Sequence, residues 1–527
     1  MASIPAPATV AAALAQTVQQ HPKTAYIDKD RDISWQEVDA TSSRLARRLR
    51  ALGLGKGDRI GIILPNRIEW IYTYFAAAKI GAVVVGLNVR YRDVELDFML
   101  ADSQIKAVLA PRSYAGFDYV QFLTQAQTRF PALQHLLFVD DASPQNLLGG
   151  RGVVFHTLLA PGADETAALP AEYSPQPDDL LLIIYTSGTT GRPKAAGITH
   201  RSQLASARAQ VAHTKFTADD LLQLALPLNH VGGTTCGVLS MLLAGGTCEL
   251  MPEFNTDTLL EMSRKHPPTL LTGVPTMLTL LLMHPQLSRG DFSRLRLLIV
   301  GGSNVDATLL TRLQAAFPGV AIMNLYGLSE SSGAIVMTPW GASQQALLET
   351  IGKPLAGAQV RVVSREGQDL PAGEVGELWF RGLGVIRAYV GSQRDEGAFD
   401  AEGWLHTGDL GFVDEAGLIH LMGRQKDMYI QGGFNVYPAE IESVIASHPE
   451  VLMVAGIGVP DPVLGEVGRC YVVRKPGSML SAQALQDFCR VRLADYKVPR
   501  QIVFREQLPL TPAGKIQKAA LRTEDSA

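Results

Sequence analysis

Residues Asp179–His200 read DLLLIIYTSGTTGRPKAAGITH. An apolar run, Leu180–Tyr185, leads into Thr186, Ser187, Gly188, Thr189, Thr190, Gly191, Arg192, Pro193 and Lys194. A short apolar run bounded by turn residues predicts a buried strand. The segment after it holds four hydroxyls, two glycines and a lysine, with no acidic side chain. Glycine lets the backbone wrap an oxyanion, and hydroxyls and an ammonium add directed donors and charge. This is the chemistry of a phosphate cradle. The spacing is GxxGxxK and Ala195 follows the lysine, so the GxxxxGK loop ending in Ser or Thr is excluded. A Ser/Thr/Gly surface turn is the plain alternative.

Outward from this stretch, apolar runs alternate with amphipathic ones. Arg59–Leu64, Gly81–Val85, Lys106–Ala110 and His135–Val139 read as strands, and Glu69–Ile80 has helical spacing. A second cycle runs from Leu180 to Gly302, where Leu295–Val300 ends in two glycines. Such alternation predicts an α/β fold with largely parallel sheets. From about 352 to 424 short β-type runs, Ala358–Val363 and Glu377–Phe380 among them, sit between Gly-rich turns. They predict a small antiparallel β subdomain. After Arg424 the pattern becomes mixed α+β, which places a domain boundary there.

The chain has 527 residues, 46% hydrophobic and 19% charged. That is the profile of packed globular domains, and the length allows three or four folding units. The net charge of −4 offers no basic excess for a nucleic-acid backbone, so no nucleic-acid partner is expected. Four cysteines, Cys236, Cys248, Cys470 and Cys489, form no CxxC, which argues against a disulfide scaffold or a zinc site. The apolar stretches Leu180–Ile184 and Thr269–Met283 are too short to span a bilayer. The expectation is a cytoplasmic protein without integral membrane association. A homodimer is left open.

Four further segments complete the set: LYGLSE at 325–330, GWLHTGD at 403–409, GRQKD at 423–427 and PAGK at 512–515. In this order, with the loop at 186–194, the sequence resembles the adenylate-forming superfamily of acyl-CoA synthetases, luciferases and peptide-synthetase adenylation domains. The resemblance covers nearly the whole chain. It implies a large N-terminal adenylation domain (1–424) with two βα-type sheets and the small β subdomain. A small mobile C-terminal domain (425–527) follows, with a hinge at Lys426. It also implies an acid–CoA ligase that uses MgATP to make an acyl-adenylate and pyrophosphate, then passes the acyl group to coenzyme A.

The residue roles have physical sense. Thr186, Ser187, Gly188, Thr189, Thr190 and Lys194 would hold phosphates, with Gly302 and Gly327 close to the nucleotide. Tyr326 offers a flat face to a purine, and Glu330 offers a hard oxygen to Mg²⁺. A buried structural tyrosine is the plainer reading of Tyr326. Asp409, read as a carboxylate on a Gly-flanked turn, suits ribose hydroxyls, and Arg424 would reinforce it; a simple turn aspartate is the alternative. Lys515 would bridge the α-phosphate and the attacking carboxylate, joined by Thr186 and Glu330 as catalytic candidates; taken alone, Gly-Lys near a terminus is a solvated pair. Negative charge builds there during AMP transfer, and such electrostatic stabilisation is worth about 3–4 kcal/mol. No general base is needed, because the acid is already ionised. Gly432 and Gly433 would admit the pantetheine arm. At the hinge Lys426 stands where some relatives carry Asp, a position that need only absorb a backbone change; Asn435 stands where some carry Arg, so the family's contacts to the CoA nucleotide do not carry over cleanly.

The acyl pocket is expected around His230, Gly232, Gly233, Val274 and Gly301. Residues 226–239 carry no acidic partner for a substrate ammonium, and 271–278 carry no Arg or Lys for a second carboxylate. An unpaired buried charge is costly. The expected acid is therefore an uncharged monocarboxylate: medium-chain, cyclic or aromatic. Rival readings are an enzyme that loads a carrier protein's phosphopantetheine, a luciferase-like oxygenase and a non-catalytic binding homologue. Intact Lys194, Glu330, Asp409 and Lys515 speak against the last.

Overall fold

A computed structural model describes residues 6–139, 152–160, 174–186, 193–302, 305, 307–392, 397–432, 434–511 and 515–524. The strand that opens the glycine-rich stretch runs through the middle of the first sheet. Leu180–Thr186 pairs parallel to Val83–Leu87 and antiparallel to Lys194–Thr199. Beyond Val83–Leu87 come Arg59–Ile63, Ala107–Ala110, His135–Phe138 and Gly152–Val154, all parallel. Tyr389–Val390 closes the other edge.

The expected strand at Gly81–Val85 starts later, at Val83. Gly81 instead ends the helix Ile68–Ile80, at φ 69°, a left-handed cap that favours glycine. The apolar stretch Thr269–Met283 divides at Pro275. Leu270–Gly273 is a strand, and Pro275 is the first residue of the helix Pro275–Met283, where its missing N–H costs nothing.

The second sheet has a parallel centre: Thr247–Leu250, Leu221–Leu224, Leu270–Gly273, Leu297–Gly301 and Ala321–Leu328. Thr24–Asp28 extends it in parallel beside Thr247–Leu250, and antiparallel strands close both edges. One apolar core joins the two sheets. It includes Ile60 and Leu182 of the first and Leu222 and Ile299 of the second, bridged by Trp70, Phe75 and Leu204 from helices between them. Burying a large apolar side chain of this kind contributes about 1.5–3 kcal/mol.

Ala358–Val363, Gly376–Gly382, Leu405–Val413 and Ile419–Arg424 form an antiparallel four-stranded sheet with its own core around Leu378 and Phe380. After Arg424 a separate sheet is built on the long hairpin Val451–Asp461 with Gly465–Arg474, covered by the helix Pro438–Ala446. No described helix is long and apolar enough to cross a membrane.

Candidate active site

The strand ends of the second sheet and of the four-stranded sheet meet the C-terminal segment at a cleft. It is lined by Gly302, Tyr326, Gly327, Asp409, Arg424 and Lys515, among others. Parallel strands point their C-terminal ends to one side, where ligands of α/β folds collect. Gly302 follows the strand Leu297–Gly301 and has φ 84°. A Cβ there would lie 3.0 Å from Lys515 Cε and 3.2 Å from Val274 Cγ1. Glycine therefore makes room for the lysine. Burial first, then the nearby Arg424, lower the Lys515 pKa from its ordinary value, while Asp409 and Glu330 oppose the shift.

Asp409 belongs to the strand Leu405–Val413, so the turn read from sequence is a strand here. It follows Gly408, which has φ 68° and supplies the local glycine signal. Both carboxylate oxygens are engaged: Oδ2 accepts from the Tyr326 hydroxyl at 2.6 Å, and Oδ1 faces Arg424 Nε at 3.0 Å. Tyr326 is buried, and burial followed by Asp409 raises its pKa well above the ordinary value. It thus keeps its proton and stays a donor.

A second group lies at the mouth of the hairpin. Thr186 and Lys194 are register partners, and Thr186 Oγ1 donates to the Lys194 carbonyl at 3.4 Å. Lys194 Nζ sits 5.7 Å from the centre of the Tyr389 ring, and the Tyr389 hydroxyl donates to Glu330 Oε1 at 2.5 Å. Tyr389 therefore links the expected phosphate and magnesium residues. Sequence reasoning missed it, because it lies on a two-residue edge strand with no local motif. It also missed Asp102, which accepts from the Tyr185 hydroxyl at 2.8 Å and the Ser392 N–H at 2.7 Å. That carboxylate anchors the strand just before Thr186. Ser187, Gly188, Thr189, Thr190, Gly191 and Arg192 lie outside the described residues, as do Ser303, Gly433 and 512–514.

His230 caps a short helix: its Nδ1 accepts from the Gly232 N–H at 3.1 Å. Burial, then the Lys515 charge, push its pKa down to about 4. The ring is neutral, and the acceptor role of Nδ1 puts the proton on Nε2. Gly232 has only ordinary contacts where a Cβ would be, whereas one on Gly233 would fall 2.2 Å from the Pro227 carbonyl oxygen. Gly233 is thus held by close packing. Gly301 pairs with Leu325. Gly432 sits in the hairpin of Tyr429–Gln431 with Phe434–Val436, its N–H on the Leu464 carbonyl. It is not among the described residues lining the cleft.

Comparison with known proteins identifies the family. A family model described as AMP-binding enzyme matches residues 14–390, and one described as AMP-binding enzyme C-terminal domain matches 440–515. The chain belongs to the AMP-binding enzyme family. It is an acid–thiol ligase of the acyl-CoA synthetase type. It is 36% identical to the 3-(7a-methyl-1,5-dioxo-octahydro-1H-inden-4-yl)propanoyl:CoA ligase of Mycobacterium tuberculosis, over 98% of each chain. It is 34% identical to a feruloyl-CoA synthase of Amycolatopsis sp, over 93% of each. The crystal structure of ATP-bound MatB from Rhodopseudomonas palustris superposes with a TM-score of 0.87 at 31% identity, covering 98% of this chain and 99% of that one.

Proposed function

We propose that this ligase activates an uncharged monocarboxylic acid, with ring-bearing acids preferred, and passes it to coenzyme A. The observation that carries the reading is the Lys515 ammonium against Gly302, in a cleft shared with Tyr326, Asp409 and Arg424. Asp409 and Arg424 hold the ribose, and Tyr326 orients Asp409 while presenting its ring to adenine. Lys194 and the hydroxyl-rich loop receive the phosphates. Lys515 neutralises charge shared by the α-phosphate and the incoming carboxylate, and Gly302 keeps it there. A magnesium ion arriving with ATP would be held by Glu330. Among the described residues no cluster of three or more His, Cys, Asp or Glu could cage a metal alone. One carboxylate plus substrate phosphates is a common way to hold Mg²⁺, so the residues fit, and the ion would offset charge on the phosphates.

The acid's body would extend past His230, Gly232, Val274 and Gly301, none of which carries a charge when His230 is neutral. Val274 is buried, so a ring has an apolar wall. Both curated relatives named above act on acids with ring systems, which supports the ring preference. Gly432, with Gly433, would line the pantetheine path once the C-terminal domain (425–527) turns about Lys426. The domain division at 424 belongs to the same proposal. Four free cysteines, all buried, suit a reducing cytoplasm.

The test is pyrophosphate release and thioester formation over a panel of acids, ranked by kcat/KM. Cyclic and aromatic monocarboxylates should outrank malonate and amino acids by about a hundredfold or more, the scale set by leaving a charge unpaired. A dicarboxylate or amino acid at the head of the list would refute the pocket reading. Mass spectrometry with CoA and with a phosphopantetheinylated carrier protein identifies the acceptor.

A further inference from the structure

Thr234–Leu239 is a π-helix between the helical turns Val231–Gly233 and Ser240–Ala244. Single π-turns inside helices hold one residue more than an α-helix would, and they concentrate at functional sites. Here the Ser240 N–H reaches back five residues to the Thr235 carbonyl. The Cys236 carbonyl, which an α-turn would pair with Ser240, accepts from Gln210 Nε2 at 3.0 Å. Gln203 Nε2 donates to Thr235 Oγ1 at 3.0 Å, and the Tyr74 hydroxyl fixes Gln203 Oε1 at 2.7 Å. Gln203, Gln210, Thr235 and Tyr74 are fully buried. Gln203 is satisfied at both ends of its amide, whereas Gln210 Oε1 has no hydrogen-bond partner among the described residues and Gln210 is held through Nε2 alone; a buried polar group left unpaired costs about 1–3 kcal/mol.

We propose that Gln203 and Gln210, without touching the acid, select which acids the enzyme accepts by holding Thr234–Leu239 in its π register. The inference rests on the pocket reading above, in which Gly232 faces the acid. The register is a choice between two states. In the π form the Cys236 carbonyl needs Gln210; in the α form the Ser240 N–H would satisfy it. Removing the Gln210 amide penalises only the π form, so the α register gains population. The segment is held at both ends, by the His230 cap and by Gly245 at φ 70°. One residue of register turns the helix by about 100°. With both ends held, the change falls on the turns between them and re-seats the wall beside Gly232, so a wide acid loses its room before a slim one does.

The experiment measures pyrophosphate release by the full-length protein with hexanoate and with cyclohexanecarboxylate. The variants are Gln210→Met, Gln203→Met and Tyr74→Phe, with Val274→Phe as a direct marker of the pocket. Gln210→Met should lower the ring-to-straight ratio of kcat/KM by about tenfold or more, the scale of a small change in pocket shape. Gln203→Met and Tyr74→Phe should move it the same way by less, with the KM for ATP unchanged in all three. A merely structural role would lower both acids equally, and that result overturns the proposal. Tyr74→Phe removes one hydroxyl and decides the matter if Gln210→Met does not fold. If Val274→Phe shifts the ratio and the glutamine variants do not, the register idea is wrong and the pocket stands. If none of the four shifts it, both are wrong.

Discussion

Lys515 carries a charge into a poor solvent, and that sets its pH behaviour. The ammonium is the working form. Burial and Arg424 lower its pKa from 10.5, so the working form is lost at a lower pH than for a free lysine. The alkaline limb of kcat/KM should therefore begin below pH 10.5 and vanish in Lys515→Ala. That substitution should slow acyl-AMP formation by about a hundredfold or more, while thioester formation from supplied acyl-AMP persists; equal loss in both halves would refute the assignment. His230 adds no limb near neutrality, since its pKa is about 4. The motifs in the sequence point to Lys194, Tyr326, Glu330, Asp409, Arg424 and Lys515 as candidates, and of these Tyr326, Asp409, Arg424 and Lys515 line one cleft. Their pairing is not legible in the sequence. Nothing local says that Tyr326 and Asp409, 83 positions apart, share a proton donor and its acceptor.

At the scale of elements, the hairpin Leu180–Thr186 with Lys194–Thr199 must hold its mouth still if it is to present the proposed phosphate residues. Asp102 does this from the end of a different helix, Asp93–Ser103, by gripping Tyr185 and Ser392. Asp102→Ala leaves the Tyr185 hydroxyl and both the N–H and the hydroxyl of Ser392 without this partner. The expected cost is about 1–3 kcal/mol of stability, read by thermal denaturation, with a rise in the KM for ATP and little change in that for the acid. A KM for ATP equal to wild type would limit Asp102 to a structural role. The strands followed from apolar runs bounded by turn residues. The π-helix did not, because Gly232, Gly233, Gly237 and the threonines of that segment fit an α-turn as well. Its register depends on glutamines from a helix that begins thirty residues earlier, at His200.

For the whole molecule, the question is how one cleft serves two half-reactions. Lys515 lines the cleft and Gly432 is not among the described residues lining it, so under the proposed function the C-terminal segment turns between the two half-reactions. Arg522 lies at the proposed pivot, donating to the Lys426 carbonyl at 3.4 Å and to Asp427 at 3.0 Å. Lys426→Pro fixes φ at that pivot and restricts Gln425 before it. Pyrophosphate release should stay within about threefold of wild type, while thioester formation from acyl-AMP falls by about a hundredfold, the scale of a lost conformational step. Equal effects on both would place the pivot elsewhere.

The layered α/β architecture, the order of its segments and the candidate charged groups can all be read along the chain, since apolar periodicity and glycine-bounded loops are local properties. Tertiary structure alone decided which groups meet. The contact of Lys515 with Gly302, the pair Tyr326 and Asp409, the bridge from Lys194 through Tyr389 to Glu330, and the glutamines that hold the π-turn all join residues far apart in the chain. Such contacts exist only once burial has removed water as the competing partner.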